Sequence, residues 1–142
     1  MNITYLICKK CEDFVFSFNR HNMSWCKCGN CALDGGYDYH KITGNSDTRI
    51  LCTEKISDCI DKIREKFEWT QRYDKNDIKL KKPVISKLKK LKTDHIVGIL
   101  LYFTNKLIIN DGSPDTIFSS ISSDWKATHL ILLEELKFRK IK

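Results

Sequence analysis

The cysteine spacing near the N-terminus is the strongest constraint on the fold. Five of the seven cysteines lie between Cys8 and Cys31, as Cys8-Lys-Lys-Cys11, fourteen residues, then Cys26-Lys-Cys28-Gly-Asn-Cys31. Two close cysteine pairs separated by the length of a β-hairpin are typical of a tetrahedral zinc site, because each turn supplies two thiolates. We therefore predict a structural Zn²⁺ held by Cys8, Cys11, Cys26 and Cys28. The alternative that Cys31 replaces Cys26 or Cys28 stays open.

This cysteine pattern also bears on the role of the metal and on the compartment. A site closed by four thiolates has no open position for water, so such a metal stabilises a fold and does not usually catalyse. Seven cysteines, metal-type spacing and an N-terminus without a signal-peptide pattern favour a reducing cytoplasm. No apolar run approaches 18 residues, so we expect no membrane partner.

The charge balance favours anionic partners. The formal net charge is +7, from 25 Lys and Arg against 18 Asp and Glu, and a basic chain attracts nucleic acid or nucleotides. Much of this charge lies in a lysine-rich run, Lys79–Lys92, where seven lysines are interleaved with Leu and Val. Two interpretations stay open. The run is either a solvated face with snorkelling lysines or an anion-binding surface.

Hydrophobic periodicity predicts an α+β fold with a zinc-ribbon-like antiparallel β head at the N-terminus, followed by further short strands and three to four helices. The head is assigned to residues 1–45 and an α+β lobe to residues 46–142, which can pack together as one domain. In the head, a strand is predicted at Asn2–Ile7. A hairpin is predicted in which Phe14–Phe18 pairs with Met23–Trp25.

Further elements follow from period and turn signals. Cys52 and Cys59 are expected to face the core and not the metal. The predicted elements are a tight turn at Asp34-Gly35-Gly36, a strand at Arg49–Cys52, a helix at Thr53–Phe67 capped by Thr53, strands at Glu68–Tyr73 and Ile78–Leu80, the second stopping before Pro83, a helix from Asp94 to Asn105 capped by Thr93, a turn at Asn110–Gly112, a short helix from Ser113 to Ser119, and a last helix at Asp124–Arg139.

Catalysis has little support, because the four histidines are scattered and no Gly-rich phosphate loop is present. We therefore predict a protein that is not an enzyme. Ligand binding is better supported, since aromatic rings beside Arg suit stacking on a base and pairing with phosphate. The predicted ligand-binding residues are Arg20, His21, Asp34, Gly35, Gly36, Tyr39, Trp69, Arg72 and His95.

The N-terminal segment resembles a group of small, largely uncharacterised proteins of phages and Gram-positive bacteria. The shared features are the pair Cys8/Cys11, the basic tip Arg20-His21, the turn Cys26-Lys27-Cys28-Gly29, and Asp34-Gly35-Gly36 with Tyr39. The tail is similar too, with a Trp69 strand, a helix opened by Thr93-Asp94-His95-Ile96, and Glu134-Glu135-Leu136 before Arg139. Cys31 is a departure from the pattern. The resemblance implies a phage or prophage accessory protein, for which the expected compartment is the cytoplasm of the host cell, and it carries no known activity.

Together these observations lead us to expect a counter-defence protein that binds and sequesters a small nucleotide immune signal without cleaving it. A homo-oligomer fits this role. One alternative is a nucleic-acid-binding accessory or regulatory protein that uses the zinc ribbon and the lysine-rich run. Another is a protein–protein inhibitor of a host enzyme.

Overall fold

A computed structural model describes residues 1–19, 21–37, 39–74, 76–111 and 123–141. The predicted α+β class is confirmed. In chain order the elements are β1 (Asn2–Cys8), β2 (Phe14–Val15), β3 (Ser24–Trp25), β4 (Ala32–Asp34), β5 (Lys41–Thr43), β6 (Arg49–Lys55), α1 (Ile60–Lys66), β7 (Glu68–Tyr73), β8 (Lys79–Lys87), α2 (Thr93–Asp111) and α3 (Ser123–Ile141), with 3-10 turns at Ser46–Thr48, Ile56–Asp58 and Leu88–Lys90.

The described strands form three antiparallel sheets, in the orders β2-β1-β6, β3-β4-β5 and β7-β8. β1 is the central strand of the first sheet, and residues on both of its faces are buried. It pairs with β6 along its whole length, from Asn2 opposite Lys55 to Cys8 opposite Arg49. Strands from the predicted head and from the predicted lobe therefore share one sheet.

The predicted hairpin between Phe14–Phe18 and Met23–Trp25 is wrong. β2 pairs with β1, and β3 pairs with β4. Beyond Val15 the chain leaves the sheet, and hydrogen bonds of the Ser17 side chain fix its path. The buried Ser17 hydroxyl donates to the carbonyls of Asn19 and Asn22 and accepts from the backbone N–H of Gly36. Such side-chain bonds to the backbone compete with a strand ladder.

The predicted helix at Thr53–Phe67 begins too early. β6 continues to Lys55, where Thr53 Oγ1 lies 3.0 Å from Thr4 Oγ1 of β1, and α1 starts only at Ile60. Pairing with β1 overrides the helical period in this segment, as tertiary context often does. The core position predicted for Cys59 is nevertheless confirmed, and Ile56, Ile60, Ile63 and Phe67 are buried with it.

The prediction that the strand after Ile78 stops before Pro83 is also wrong, since β8 continues to Lys87. β8 pairs only with β7 among the described strands, so Pro83 lies in an edge strand. The register jumps from Gln71 opposite Val84 to Tyr73 opposite Lys79. Residues 80–83 of β8 therefore lie opposite a single residue of β7, Arg72. Proline is tolerated at such an irregular edge.

The remaining predictions agree more closely. β7 spans the predicted residues, and α3 covers the predicted last helix. α2 continues to Asp111, beyond the predicted end at Asn105, so Asn110 and Asp111 are helical and not a turn. The short helix predicted from Ser113 to Ser119 lies outside the described residues. Among the described helices, none combines the length and apolar character required to cross a membrane.

The main core lies between the first sheet and the three helices. Aromatic rings fill one side of it: Tyr5 stacks on Phe16 with centroids 4.8 Å apart, and Phe16 stacks on Phe18 at 5.5 Å. On the helical side, Ile96 and Leu132 are fully buried. The core thus includes β1, from the predicted head, and α2 and α3, from the predicted lobe.

Candidate functional site

The four predicted metal ligands converge on one point. The Sγ atoms of Cys8, Cys11, Cys26 and Cys28 all lie within 4.8 Å of one another. Cys28 Sγ is 3.7 Å from Cys8 Sγ and 3.7 Å from Cys26 Sγ. A tetrahedral site with metal–sulfur bonds of about 2.3 Å places its sulfurs about 3.8 Å apart. The cluster therefore has the dimensions to hold a metal ion.

Local backbone bonds build the two turns that carry these thiols. In the first, Cys8 lies at the end of β1, and its carbonyl accepts from the N–H of Glu12 at 2.8 Å. In the second, Cys26 follows β3, and its carbonyl accepts from the N–H of Gly29 at 3.1 Å. Gly29 has φ +74°, a conformation that favours glycine. Each turn closes on itself, so the thiols are positioned by short-range structure.

Asn30 joins the two turns. Its backbone N–H donates to Cys26 Sγ at 3.2 Å, and its side-chain Nδ2 donates to Cys8 Sγ at 3.6 Å. The same Nδ2 also donates to the carbonyl of Thr48 at 3.1 Å. Donors aimed at sulfur favour the thiolate form that binds metal. The sequence analysis did not identify this residue, although it lies directly between Gly29 and Cys31.

The thiols of the cluster do not ionise equally. Burial opposes ionisation of Cys8 and Cys26, but hydrogen bonds, led by those from the backbone of Cys11 and of Cys31 respectively, outweigh it and lower the pKa of both thiols. A backbone bond from Asn30 favours the Cys28 thiolate, yet burial and the neighbouring thiols raise its pKa to about 12. A bound cation is what would hold all four sulfurs as thiolates together.

Cys31 lies beside the cluster without belonging to it. It is fully buried with Leu6, Val15 and Leu33 in a small core that also contains Cys8 and Cys26. Burial is the main reason that the pKa of its thiol rises to about 12. The geometry thus favours the ligand set with Cys26 and Cys28. The predicted core positions of the two remaining cysteines are confirmed, since Cys59 is buried and Cys52 packs against the same core.

Comparison with known proteins gives one result for this region. Residues 4–44 match DUF7695, a domain of unknown function. The match contains both cysteine turns and β5, and it carries no activity to this chain. It lies within the predicted head of residues 1–45, whose separation from the rest of the chain stays a prediction. Neither a search of curated proteins nor a search of solved structures found a match.

One group of predicted ligand residues lies around the loop after β4, which His21 contacts from the segment before β3. His21 Nδ1 is 3.2 Å from the Tyr39 hydroxyl, and Gly36 donates its N–H to Ser17. Gly35 has φ +118°, and a Cβ there would lie 1.9 Å from the Tyr39 carbonyl oxygen, so only glycine fits. Asp34, at the end of β4, has a buried Oδ1 without a hydrogen-bond partner among the described residues. Arg20 lies outside the described residues.

A second group lines a cleft, here called the β7–α2 cleft, with a volume of about 430 Å³. Trp69 and Arg72 come from β7, and His95 comes from α2. None of the loop residues lines this cleft, so the predicted set divides into two places. The α2 residues among the other lining residues could not be predicted, because their proximity to β7 depends on how α2 packs. The other lining residues are Thr70, Gln71, Tyr73, Asp74, Asp77, Gly98, Ile99 and Tyr102.

A larger groove, of about 660 Å³, lies between β7 and the chain that connects the two cysteine turns. Trp25 lines it from the head side and is 55% exposed. Lys66 and Lys87 line the opposite side, but both are paired, with Asp13 and Glu68 respectively. Trp69 lines this groove as well as the β7–α2 cleft. Because its lysines already have partners, the groove offers less unpaired positive charge than its residue types suggest.

Proposed function

We propose that this protein is a non-enzymatic binding protein, whose head holds a structural Zn²⁺ and whose β7–α2 cleft takes a small nucleotide. The observation that carries the proposal is that three of the predicted ligand-binding residues, Trp69, Arg72 and His95, line one cavity. The resemblance to phage proteins suggests the biological setting, which is sequestration of an immune nucleotide.

The donor set supports zinc as the metal. Four thiolates are soft ligands, and a tetrahedral site of four sulfurs suits zinc or an iron–sulfur centre. The small turns around Cys8 and Cys26, with a donor from Asn30 to each sulfur, are suited to a single ion. Metal analysis of the purified protein is expected to find about one zinc per chain.

The size and lining of the β7–α2 cleft suit a nucleotide. A volume of about 430 Å³ lies within the usual range of about 300–1,000 Å³ for small-ligand sites. Trp69, Tyr73 and Tyr102 provide rings on which a base can stack. Arg72 is exposed and can pair with phosphate in a bidentate manner. Asp74 and Asp77 line the cleft just beyond the end of β7, and their carboxylates would repel a phosphate. The phosphate of the ligand is therefore expected to bind Arg72 on the side away from these two residues.

The proposal is tested by a thermal-shift screen with cyclic dinucleotides, cyclic trinucleotides and ADP-ribose derivatives. A true ligand raises Tm increasingly with its concentration, roughly with the logarithm of that concentration above Kd, by mass action, and is recovered chemically intact after denaturation. A chemically altered nucleotide would show an enzyme instead. If no member of the panel shifts Tm, the nucleotide proposal fails.

Gly98 allows the cleft itself to be tested. It lines the cleft from α2, and a Cβ added there would meet no atom within 4 Å. Gly98→Leu should fill the cleft, and because glycine is a poor helix residue the helix should not be weakened. We expect this variant to abolish the ligand-induced shift, whereas Val97→Leu, on a neighbouring exposed position, should retain it. Binding by Gly98→Leu equal to the parent would place the ligand elsewhere.

A further inference from the structure

The lysine-rich run is not used by the proposed nucleotide site. From Ile78 to Thr93 the chain has seven lysines and no acidic residue. Two of the lysines are neutralised, Lys87 by Glu68 and Lys89 by Glu65. The other five are exposed and form no ion pair within the part of the chain that the structure describes: Lys79, Lys81, Lys82, Lys90 and Lys92.

The strands β7 and β8 form a two-stranded ribbon, of which the β8 edge is unpaired within the described chain. Val84 is 51% exposed and Ile85 is 61% exposed. Consecutive residues of a strand point to opposite faces, so both faces of the ribbon are open at this point. Snorkelling lysines would cover apolar neighbours, but these two side chains are left uncovered. The solvated-face interpretation therefore does not explain the surface.

Strand addition by another protein does not fit the β8 edge. Pro83 removes a backbone donor, and the register shift beside it interrupts the ladder. A second copy of this chain, paired edge to edge, would also bring its own lysines against these lysines. The surface instead suits a partner that carries dense negative charge and contacts both strands of the ribbon.

We propose that the β7–β8 ribbon binds duplex DNA, with the unpaired lysines on its phosphates. The major groove of B-form DNA is about 12 Å wide and admits a two-stranded β-ribbon. In the groove, one face of the ribbon lies against the base edges, and the phosphate backbones flank its two edges, where the long lysine side chains can reach them. Whichever of Val84 and Ile85 lies on the face that enters the groove is then available for apolar contact with thymine methyl groups. The major groove of A-form RNA is too deep and narrow for this arrangement.

The test is fluorescence anisotropy with a labelled DNA duplex, over a series of salt concentrations. Each phosphate contact contributes about −0.9 to the slope of log K against log salt. The double variant Lys81→Gln/Lys82→Gln should therefore make the slope shallower by about two. The matched control is Lys9→Gln/Lys10→Gln, which removes the same charge from two exposed lysines in the first cysteine turn and should leave the slope unchanged.

Three results would overturn this proposal: no DNA binding by the parent at low salt, a slope change as large in the Lys9/Lys10 control, or binding of an RNA duplex of the same sequence equal to that of DNA. Both variants should keep the Tm of the parent, since all four side chains are exposed. The Lys81/Lys82 variant should also keep any nucleotide-induced thermal shift, because neither lysine lines the β7–α2 cleft. The two proposals can thus fail separately.

Discussion

At the scale of single residues, Asn30 links the chemistry of the cluster to the fold around it. Its side chain contacts one metal-binding sulfur and the Thr48 carbonyl, and its Nδ2 also lies 2.9 Å from Thr48 Oγ1. Thr48 directly precedes β6. A residue of this kind orients a ligand without touching the metal, and such outer contacts commonly matter 10–100-fold for metal affinity.

We predict that Asn30→Ala lowers zinc affinity by roughly tenfold or more. The substitution removes the side-chain donors to Cys8 and Thr48 but keeps the backbone N–H that donates to Cys26. Affinity is measured by competition with a chromophoric chelator. Asn76→Ala, at an exposed turn position, is the control and should bind zinc as the parent does. Equal affinities for the two variants would show that the Asn30 side chain has no role at the site.

At the scale of elements, a buried carboxylate ties the helices together. Glu135 on α3 has no exposed surface and accepts two bonds from Arg64 on α1, at 2.9 and 3.0 Å. Arg139 donates to the same carboxylate at 2.7 Å and to the Leu88 carbonyl at 3.0 Å. Arg139 also donates to Thr93, the first residue of α2. One anion therefore fixes the relative positions of three helices.

We predict that Glu135→Ala destabilises the protein by about 3–5 kcal/mol, because it leaves two largely buried guanidinium groups without their shared partner. Urea unfolding followed by far-UV circular dichroism measures the change. Glu134→Ala is a matched control, since it removes the neighbouring carboxylate, which pairs with the exposed Lys137, and should cost no more than about 1 kcal/mol. Similar losses in the two variants would rule out a special role for the buried network.

The elements also show which features a sequence can predict. β7 was predicted to the residue because β-forming residues and the turn after Asp74 define it locally. The cysteine cluster was predicted for the same reason, since each turn closes on itself. The Thr53–Phe67 helix failed because β6 pairs with β1, about fifty residues away in sequence. Trp69, Arg72 and His95 were predicted as ligand-binding residues, but no pattern in the sequence indicates that they line one cleft together with Gly98, because this depends on the packing of α2.

At the scale of the whole molecule, non-covalent contacts join the cysteine-rich segment Cys8–Cys31 to the helices. The β1–β6 ladder spans the predicted boundary near residue 45. Lys66 of α1 donates to Asp13 Oδ1, and Asp13 Oδ2 accepts from the N–H of Lys27 at 3.1 Å. Asp13 thus contacts both cysteine turns, through its own chain position and through Lys27. Disruption of the cluster is therefore expected to destabilise α1.

We predict that the chain loses its metal and its helices in one cooperative transition. With Co²⁺ bound to the cysteines, the thiolate–metal absorbance reports on the head, and far-UV circular dichroism reports mainly on α2 and α3. Because β1 contributes to the core that these helices bury, the two thermal transitions should coincide, as two-state unfolding requires. Cys8→Ser should lower the transition of the helices as well, whereas Cys52→Ser, at a half-buried cysteine outside the cluster, should lower it less. Helices that survive after the cobalt signal is lost would instead establish residues 1–45 as a separately folding unit.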